Sequence, residues 1–262
     1  MSTPEEIKAC CAAAYGQDAV ALVLGESYHP GGLALTRRLA DVLGLRSGQR
    51  VADIASGPGA TACALASEYD VGVDGVDLGE SGVERARAAA EQAGLAGTVR
   101  FHVGDAERLP LPDNAFDAVV CECAFCTFPD KATAAAEFAR VLRSGGKVGI
   151  TDVTVTESGL PEELTTLAAW VACIADARPL AGYADLLANA GLRTVRTESH
   201  DDAIAVMIEA IEARLTLLRM TAADRLTEAG VDVDTVLRHT SLASRAARQG
   251  LIGYALLVAE KP

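Results

Sequence analysis

The sequence predicts an open α/β sheet with helices packed between its strands, and three observations carry that expectation. An apolar run at Arg50–Ile54 passes through Ala55-Ser56 into Gly57-Pro58-Gly59 and then into an Ala-rich helical pattern. Glycines at such a strand–turn–helix start let the backbone pass close under a ligand, and the first helical amides face that ligand. Further apolar runs at Val71–Val76 and Val99–Val103 end on Asp77 and on Gly104-Asp105, and a fourth follows at Phe116–Val120. Helical patterns at Ser81–Ala93 and Ala132–Leu142 separate runs, and such alternation implies parallel pairing with right-handed crossovers.

The remaining elements follow from local signals. Thr3 is placed to cap a helix over Pro4–Tyr15, with Pro4 at its first position and Glu6 three residues after the cap. That helix carries Cys10-Cys11. A second short helical piece is expected at Asp18–Leu24, then a breaker-rich loop, Gly25-Glu26-Ser27-Tyr28-His29-Pro30-Gly31-Gly32, and helical spacing again at Leu33–Leu43. The helix after the glycine turn covers Thr61–Tyr69. Gly145-Gly146 closes the helix at Ala132–Leu142, and Lys147–Thr151 reads as a fifth strand. Beyond Val155 the sequence predicts an amphipathic helix at Pro161–Ala175, a helix at Tyr183–Ala190 stopped by Gly191, and a strand at Leu192–Glu198. A long helix follows at Asp201–Leu218, then helical pieces within Ala222–Gln249. Ile252–Glu260 is an apolar run that only a buried strand accommodates.

Half of the 262 residues are hydrophobic, enough for one sizeable core, and the formal net charge is −13. Acidity of that size argues against nucleic acid as a partner, because phosphates require a basic footprint. No window is apolar over a membrane span, and Met1–Lys8 does not read as a signal peptide, so no membrane partner is expected. Seven cysteines without secretory context predict a reducing, cytoplasmic setting. Cys121, Cys123 and Cys126 lack the fourth ligand and paired spacing of a zinc site, so no structural metal is expected.

The glycine turn lacks the third glycine of a dinucleotide fingerprint, since Gly59 is followed by Ala60-Thr61-Ala62, and no P-loop lysine follows. Asp77 lies 24 residues after Asp53, where open α/β folds place an acid on a ribose diol. With Gly104-Asp105-Ala106, Phe116-Asp117 and Leu142-Arg143-Ser144-Gly145-Gly146, the series over Gly48–Val155 resembles the class I S-adenosylmethionine (SAM)-dependent methyltransferases. The resemblance implies a Rossmann-like seven-stranded sheet, mostly parallel with its last strand antiparallel and helices on both faces. It implies one methyltransferase domain: a helical lid in residues 1–47, a SAM-binding core in 48–155, and a substrate-side part in 156–262 with a helical insertion before the last strand. It also implies that Asp53, Ala55, Gly57 and Gly59 hold the methionine part of SAM, Asp77 the ribose, and Asp105 and Ala106 the adenine. Leu78, Cys121 and Tyr15 complete the expected cofactor contacts.

The end of the fourth strand reads Cys121-Glu122-Cys123-Ala124-Phe125-Cys126, followed by Pro129-Asp130-Lys131. Thiolates favour soft, thiophilic ions. The stretch resembles the arsenite methyltransferases, with Cys123 eight residues before Lys131 and Cys173 ten before Tyr183, although the family's Gly-Gly after the second cysteine is missing. That resemblance implies methyl transfer to trivalent arsenic held by Cys123 and Cys173, joined by Cys10 or Cys11, with thioredoxin or glutathione as the cellular thiol reductant. Cys63 reads as core. The alternative is a small organic acceptor methylated on oxygen, carbon or sulfur. An oxygen acceptor needs a base, for which His29, Glu122 and Asp18 are the candidates. His102 and His239 read as packing or surface residues. A thiol-based metal or SAM sensor without turnover is a third reading, against which the intact donor-site residues argue.

Overall fold

The structure, a computed structural model, describes residues 3–15, 22–24, 28–157, 160, 164, 174, 176–228 and 232–262. The N-terminal part holds α1 (Pro4–Tyr15) and α2 (Gly32–Leu43). The central part runs β1 (Arg50–Ile54), α3 (Ala60–Tyr69), β2 (Gly72–Asp77), α4 (Glu80–Gln92), β3 (Val99–Val103) and β4 (Phe116–Glu122), then α5 (Lys131–Val141) and β5 (Leu142–Val155). After these come α6 (Leu180–Asn189), β6 (Arg193–Ser199), α7 (Asp201–Thr221), α8 (Ala223–Glu228), α9 (Val233–Arg248) and β7 (Ile252–Glu260).

The strands form one seven-stranded sheet in the order β3-β2-β1-β4-β5-β7-β6. β1 to β5 pair in parallel, and β7 runs antiparallel to both β5 and β6. The reason lies in the residue pattern. β1, β4 and β7 carry near-continuous buried apolar runs, as strands covered on both faces must. β6, with only Thr194 and Glu198 less than exposed, is one edge of the sheet, and β3 is the other. The chain leaves β1 for β2 on one side and returns through β4 on the other, so the sheet has its topological switch point between β1 and β4. Open α/β sheets bind ligands in the crevice at that point, beyond the carboxyl ends of the strands.

Several expectations are met closely. Thr3 and Glu6 form the capping box: the Glu6 amide donates to Thr3 Oγ1 over 3.2 Å, and the Thr3 amide to Glu6 Oε2 over 2.8 Å. Ile252–Glu260 is the buried strand expected. The fifth strand is longer than its apolar run. It takes in the Gly145-Gly146 breaker because the C-terminal tail pairs with it: the Gly145 amide donates to Lys261 O and the Lys261 amide to Gly146 O, each over 2.8 Å. The expected helix at Pro161–Ala175, including Trp170 and Cys173, lies outside the described residues apart from single positions. Of the expected Asp18–Leu24 helix only residues 22–24 are described, and they are helical. No helix among the described residues is long and apolar enough to cross a membrane.

Candidate active site

A cleft enclosing about 1180 Å³, part of it open to solvent, lies over the carboxyl ends of β1, β2 and β4. The loop after β1 forms its floor. Ala55 and Gly57 both take positive φ, 59° and 50°, and the Ser56 amide donates to Val76 O over 3.1 Å, so the loop curls back toward β2. Gly59, at φ 85°, ends the turn, and a Cβ there would stand 2.6 Å from Phe101 Cζ. Close packing against Phe101 thus explains why residue 59 is glycine. The α3 amides begin one residue later and face the cleft with partial positive charge.

Asp77, at the end of β2, ties this floor together. Its Oδ2 accepts from the Gly57 amide and its Oδ1 from the Gly79 amide, both over 2.8 Å. Burial pushes its carboxyl above the usual carboxylate range, against the pull of those two amides. Asp53 lies deeper. Burial first, then the charges of Glu122 and Asp77, push its carboxyl well above the ordinary value. Asp53 Oδ2 and Ser56 Oγ are buried and make no hydrogen bond to any described residue. Both residues line the cleft, and orphaned polar atoms of this kind call for a polar ligand.

One wall comes from β4 and the loop before α2. Glu122 Oε2 accepts from Thr61 Oγ1 over 2.7 Å and from Thr36 Oγ1 over 2.9 Å. His29 Nε2 lies 3.5 Å from the same oxygen, while His29 Nδ1 lies 3.3 Å from Pro30 O. His29 and Glu122, two of the three candidate bases, thus meet at the cleft edge, and the third, Asp18, lies outside the described residues. The other wall is α1, which brings Lys8, Cys11 and Ala12 over the cleft. Lys8 Nζ donates to Asp105 Oδ2 over 2.8 Å and also to Glu107, pinning α1 above the Asp105-Ala106 corner. Leu78, Asp105 and Ala106 line this end.

The cysteines separate. Cys123 and Cys11 line the cleft. Cys123 holds a left-handed φ of 52°, with its amide donating to Thr151 O over 2.6 Å. Cys121 does not reach the cleft. It is fully buried in the sheet, where burial pushes its thiol well up. Cys126 is buried too, its amide donating to Asp152 over 2.9 Å. Cys10 is one helical position away from the cleft-lining face of α1. Cys173 lies outside the described residues, as does the side chain of Tyr15. Among the described residues no group of three or more His, Cys, Asp and Glu is arranged to hold a metal ion.

Two further residues of the arsenite-like pattern have structural jobs. Lys131 is buried and donates to Phe128 O over 3.0 Å and to Asp176 over 2.5 Å, clamping the segment before α6. Tyr183 packs in the core against Phe125 and donates to Val153 O over 3.0 Å. Cys63 is half-buried against the core, as expected, its thiol pushed up mainly by burial. His102, also as expected, serves packing, 2.9 Å from Asp74. Sequence reading missed Lys8, Thr36 and Thr61. Thr61 carried a signal: it stands in the first turn after Gly-Pro-Gly, on the side that faces β4. Lys8 and Thr36 carried none.

Comparison with known proteins agrees with this arrangement. The methyltransferase domain family matches residues 52–150. The 27-O-demethylrifamycin SV methyltransferase of Amycolatopsis mediterranei (strain S699) is 40% identical over 124 residues, 47% of this chain and 46% of that one. The chain thus spans about half the length of that relative. Nocamycin O-methyltransferase of Saccharothrix syringae is 30% identical over 190 residues, 64% of this chain and 67% of that one. A structure of Haemonchus contortus phosphoethanolamine N-methyltransferase 2, with phosphomonomethylethanolamine and S-adenosylhomocysteine, superposes with a TM-score of 0.81. Identity there is 21%, over 100% of this chain and 58% of that one, a likeness of fold. The glycine turn, the acid at the end of β2, the sheet order and these relatives converge: the chain belongs to the class I SAM-dependent methyltransferases.

Proposed function

We propose that the enzyme transfers the methyl group of SAM to a hydroxyl oxygen of a small organic acceptor. The observation that carries this reading is the buried His29–Glu122 pair at the cleft edge, beside the loop that holds the donor. It is supported by two relatives whose names specify O-methylation of natural products. The residues present fit SAM. The orphaned Asp53 oxygen suits an ammonium, the α3 amides a carboxylate, and Asp77 a ribose diol. When bound, SAM supplies an electrophilic methyl group on a sulfonium centre.

The chain then has two tasks. The first is alignment, since holding acceptor and donor in line removes much of the entropic barrier. Phe128, Ala124 and Pro129 offer the acceptor an apolar wall for this. The second is proton removal. His29, with Nδ1 3.3 Å from Pro30 O and Nε2 3.4 Å from Thr36 Oγ1, is the group assigned to receive the hydroxyl proton. The imidazolium so formed lies 3.5 Å from the Glu122 carboxylate, which Thr36 and Thr61 hold in place. Incubating the protein with SAM and a panel of phenols and alcohols tests the reading, with S-adenosylhomocysteine and methylated acceptor as readouts. S-adenosylhomocysteine formed only with hydroxyl-bearing acceptors supports it; none formed with any of them contradicts it.

One observation favours a second reading. Cys11 and Cys123 line the same cleft, so trivalent arsenic bound by thiolates remains a possible acceptor. The burial of Cys121 and Cys126 and the names of the relatives favour the organic acceptor. Methylated arsenic formed from arsenite and thiol, and lost in Cys123→Ser, would reverse that order.

A further inference from the structure

We infer that the cleft selects an uncharged acceptor and rejects phosphorylated or carboxylated ones. The inference rests on the organic-acceptor reading and sharpens it. Four carboxylates line the cleft, Asp53, Asp77, Asp105 and Glu122, against one ammonium, Lys8, and one imidazole, His29, which the proposed reaction uses as a neutral base. Lys8 is already bound by Asp105 and Glu107. An anionic acceptor would therefore meet like charge without a cation to receive it, and phosphate recognition depends on charge-assisted donors.

The sequence closes the remaining routes. Between Lys8 and His29 there is no Lys, Arg or His, and between Lys147 and Arg178 there is none. The cations at the ends of these stretches are committed elsewhere. Lys147 donates to Leu43 O over 3.2 Å, and Arg178 pairs with Asp176 at 2.8 Å. Lys131, the other cation near this wall, is buried and held by Phe128 O and Asp176. SAM itself carries one net positive charge, which offsets one of the four carboxylates and leaves the balance acidic. The fold is shared with a protein solved with a phosphate-bearing ligand, so the fold by itself does not exclude such an acceptor.

The test uses a matched pair, 1,5-dihydroxynaphthalene and its monophosphate, which keep the same ring and one free hydroxyl. Binding of each to the full chain saturated with S-adenosylhomocysteine is measured by calorimetry at low salt. The diol is expected to bind about 100-fold more tightly, the scale of an uncompensated like-charge contact. Ala12→Lys, which adds a cation on the cleft face of α1, and added salt should each narrow the ratio, the variant by about tenfold. A difference below tenfold, including no binding by either probe, overturns the inference. Turnover with SAM separates the two readings. Equal methylation of the monophosphate overturns the charge selection while leaving O-methylation standing. Selective binding of the diol with no methylation of any hydroxyl defeats the proposed function and leaves the charge selection in place.

Discussion

His29 Nε2 stands 3.5 Å from Glu122 Oε2, an oxygen that also accepts hydrogen bonds from Thr36 and Thr61. One side chain comes from the loop before α2 and the other from the last residue of β4, so the fold joins them only once the N-terminal part has docked. If this pair removes the acceptor proton, His29→Ala should lower kcat by about 10²–10⁴ with a hydroxyl acceptor, the usual scale of general base catalysis. SAM affinity should change little, and added imidazole should restore part of the rate. An unchanged kcat in His29→Ala would remove the base from the account.

Asp77 anchors the donor floor through the Gly57 and Gly79 amides. Asp77→Ala leaves those amides without their acceptor and removes the carboxylate proposed to hold the ribose. SAM affinity measured by calorimetry should fall at least about tenfold, the cost of one charge-assisted hydrogen bond.

The two glycines of the turn should respond differently. A Cβ at Gly59 meets the Phe101 ring at φ 85°, whereas a Cβ at Gly57 meets nothing within 4 Å at φ 50°. Gly59→Ala should destabilise the fold by about 3 kcal/mol, strain and overpacking together. Gly57→Ala should cost about 1 kcal/mol of left-handed strain and act mainly on SAM affinity, because Gly57 lines the cleft. Thermal melts with and without SAM distinguish the two effects.

Asp53 gives a pH signature. Burial, then Glu122 and Asp77, hold its carboxyl well above the usual range. The folded chain therefore holds this proton more tightly than the unfolded chain does. Its contribution to stability is intact at low pH and is lost as pH rises from the ordinary value near about 4 through the raised one. Asp53→Asn removes that loss. Without ligand, the variant's Tm should rise relative to the parent as pH goes from about 4 to 8, and a flat difference across that range would count against the assignment.

Much of the donor half was legible because each strand there ends on a residue that only the cleft explains. Gly57, Asp77 and Asp105 sit at strand ends whose apolar runs fix their place. The acceptor half was less legible, and the cysteines show why. Along β4 side chains alternate between faces, and Cys121 and Cys123 fall either side of Glu122, yet only Cys123 reaches the cleft, because its left-handed φ turns the chain there. No spacing rule in the sequence marks that turn. Tyr183 matched the spacing from Cys173, yet apolar packing against Phe125 buries it. Lys8 was invisible for another reason: its partners, Asp105 and Glu107, are about a hundred residues away in the chain. The long β5 was likewise hidden, since the pairing that extends it comes from Lys261.

The most direct test of the account is methyl transfer itself. The purified chain would be incubated with methyl-labelled SAM and hydroxylated aromatic acceptors, following S-adenosylhomocysteine and labelled product by mass spectrometry. The account predicts label on the acceptor oxygen and S-adenosylhomocysteine released in equal amount, both dependent on the hydroxyl. A protein that binds SAM yet forms no S-adenosylhomocysteine with any hydroxyl acceptor, while methylating arsenite through Cys123, would contradict it.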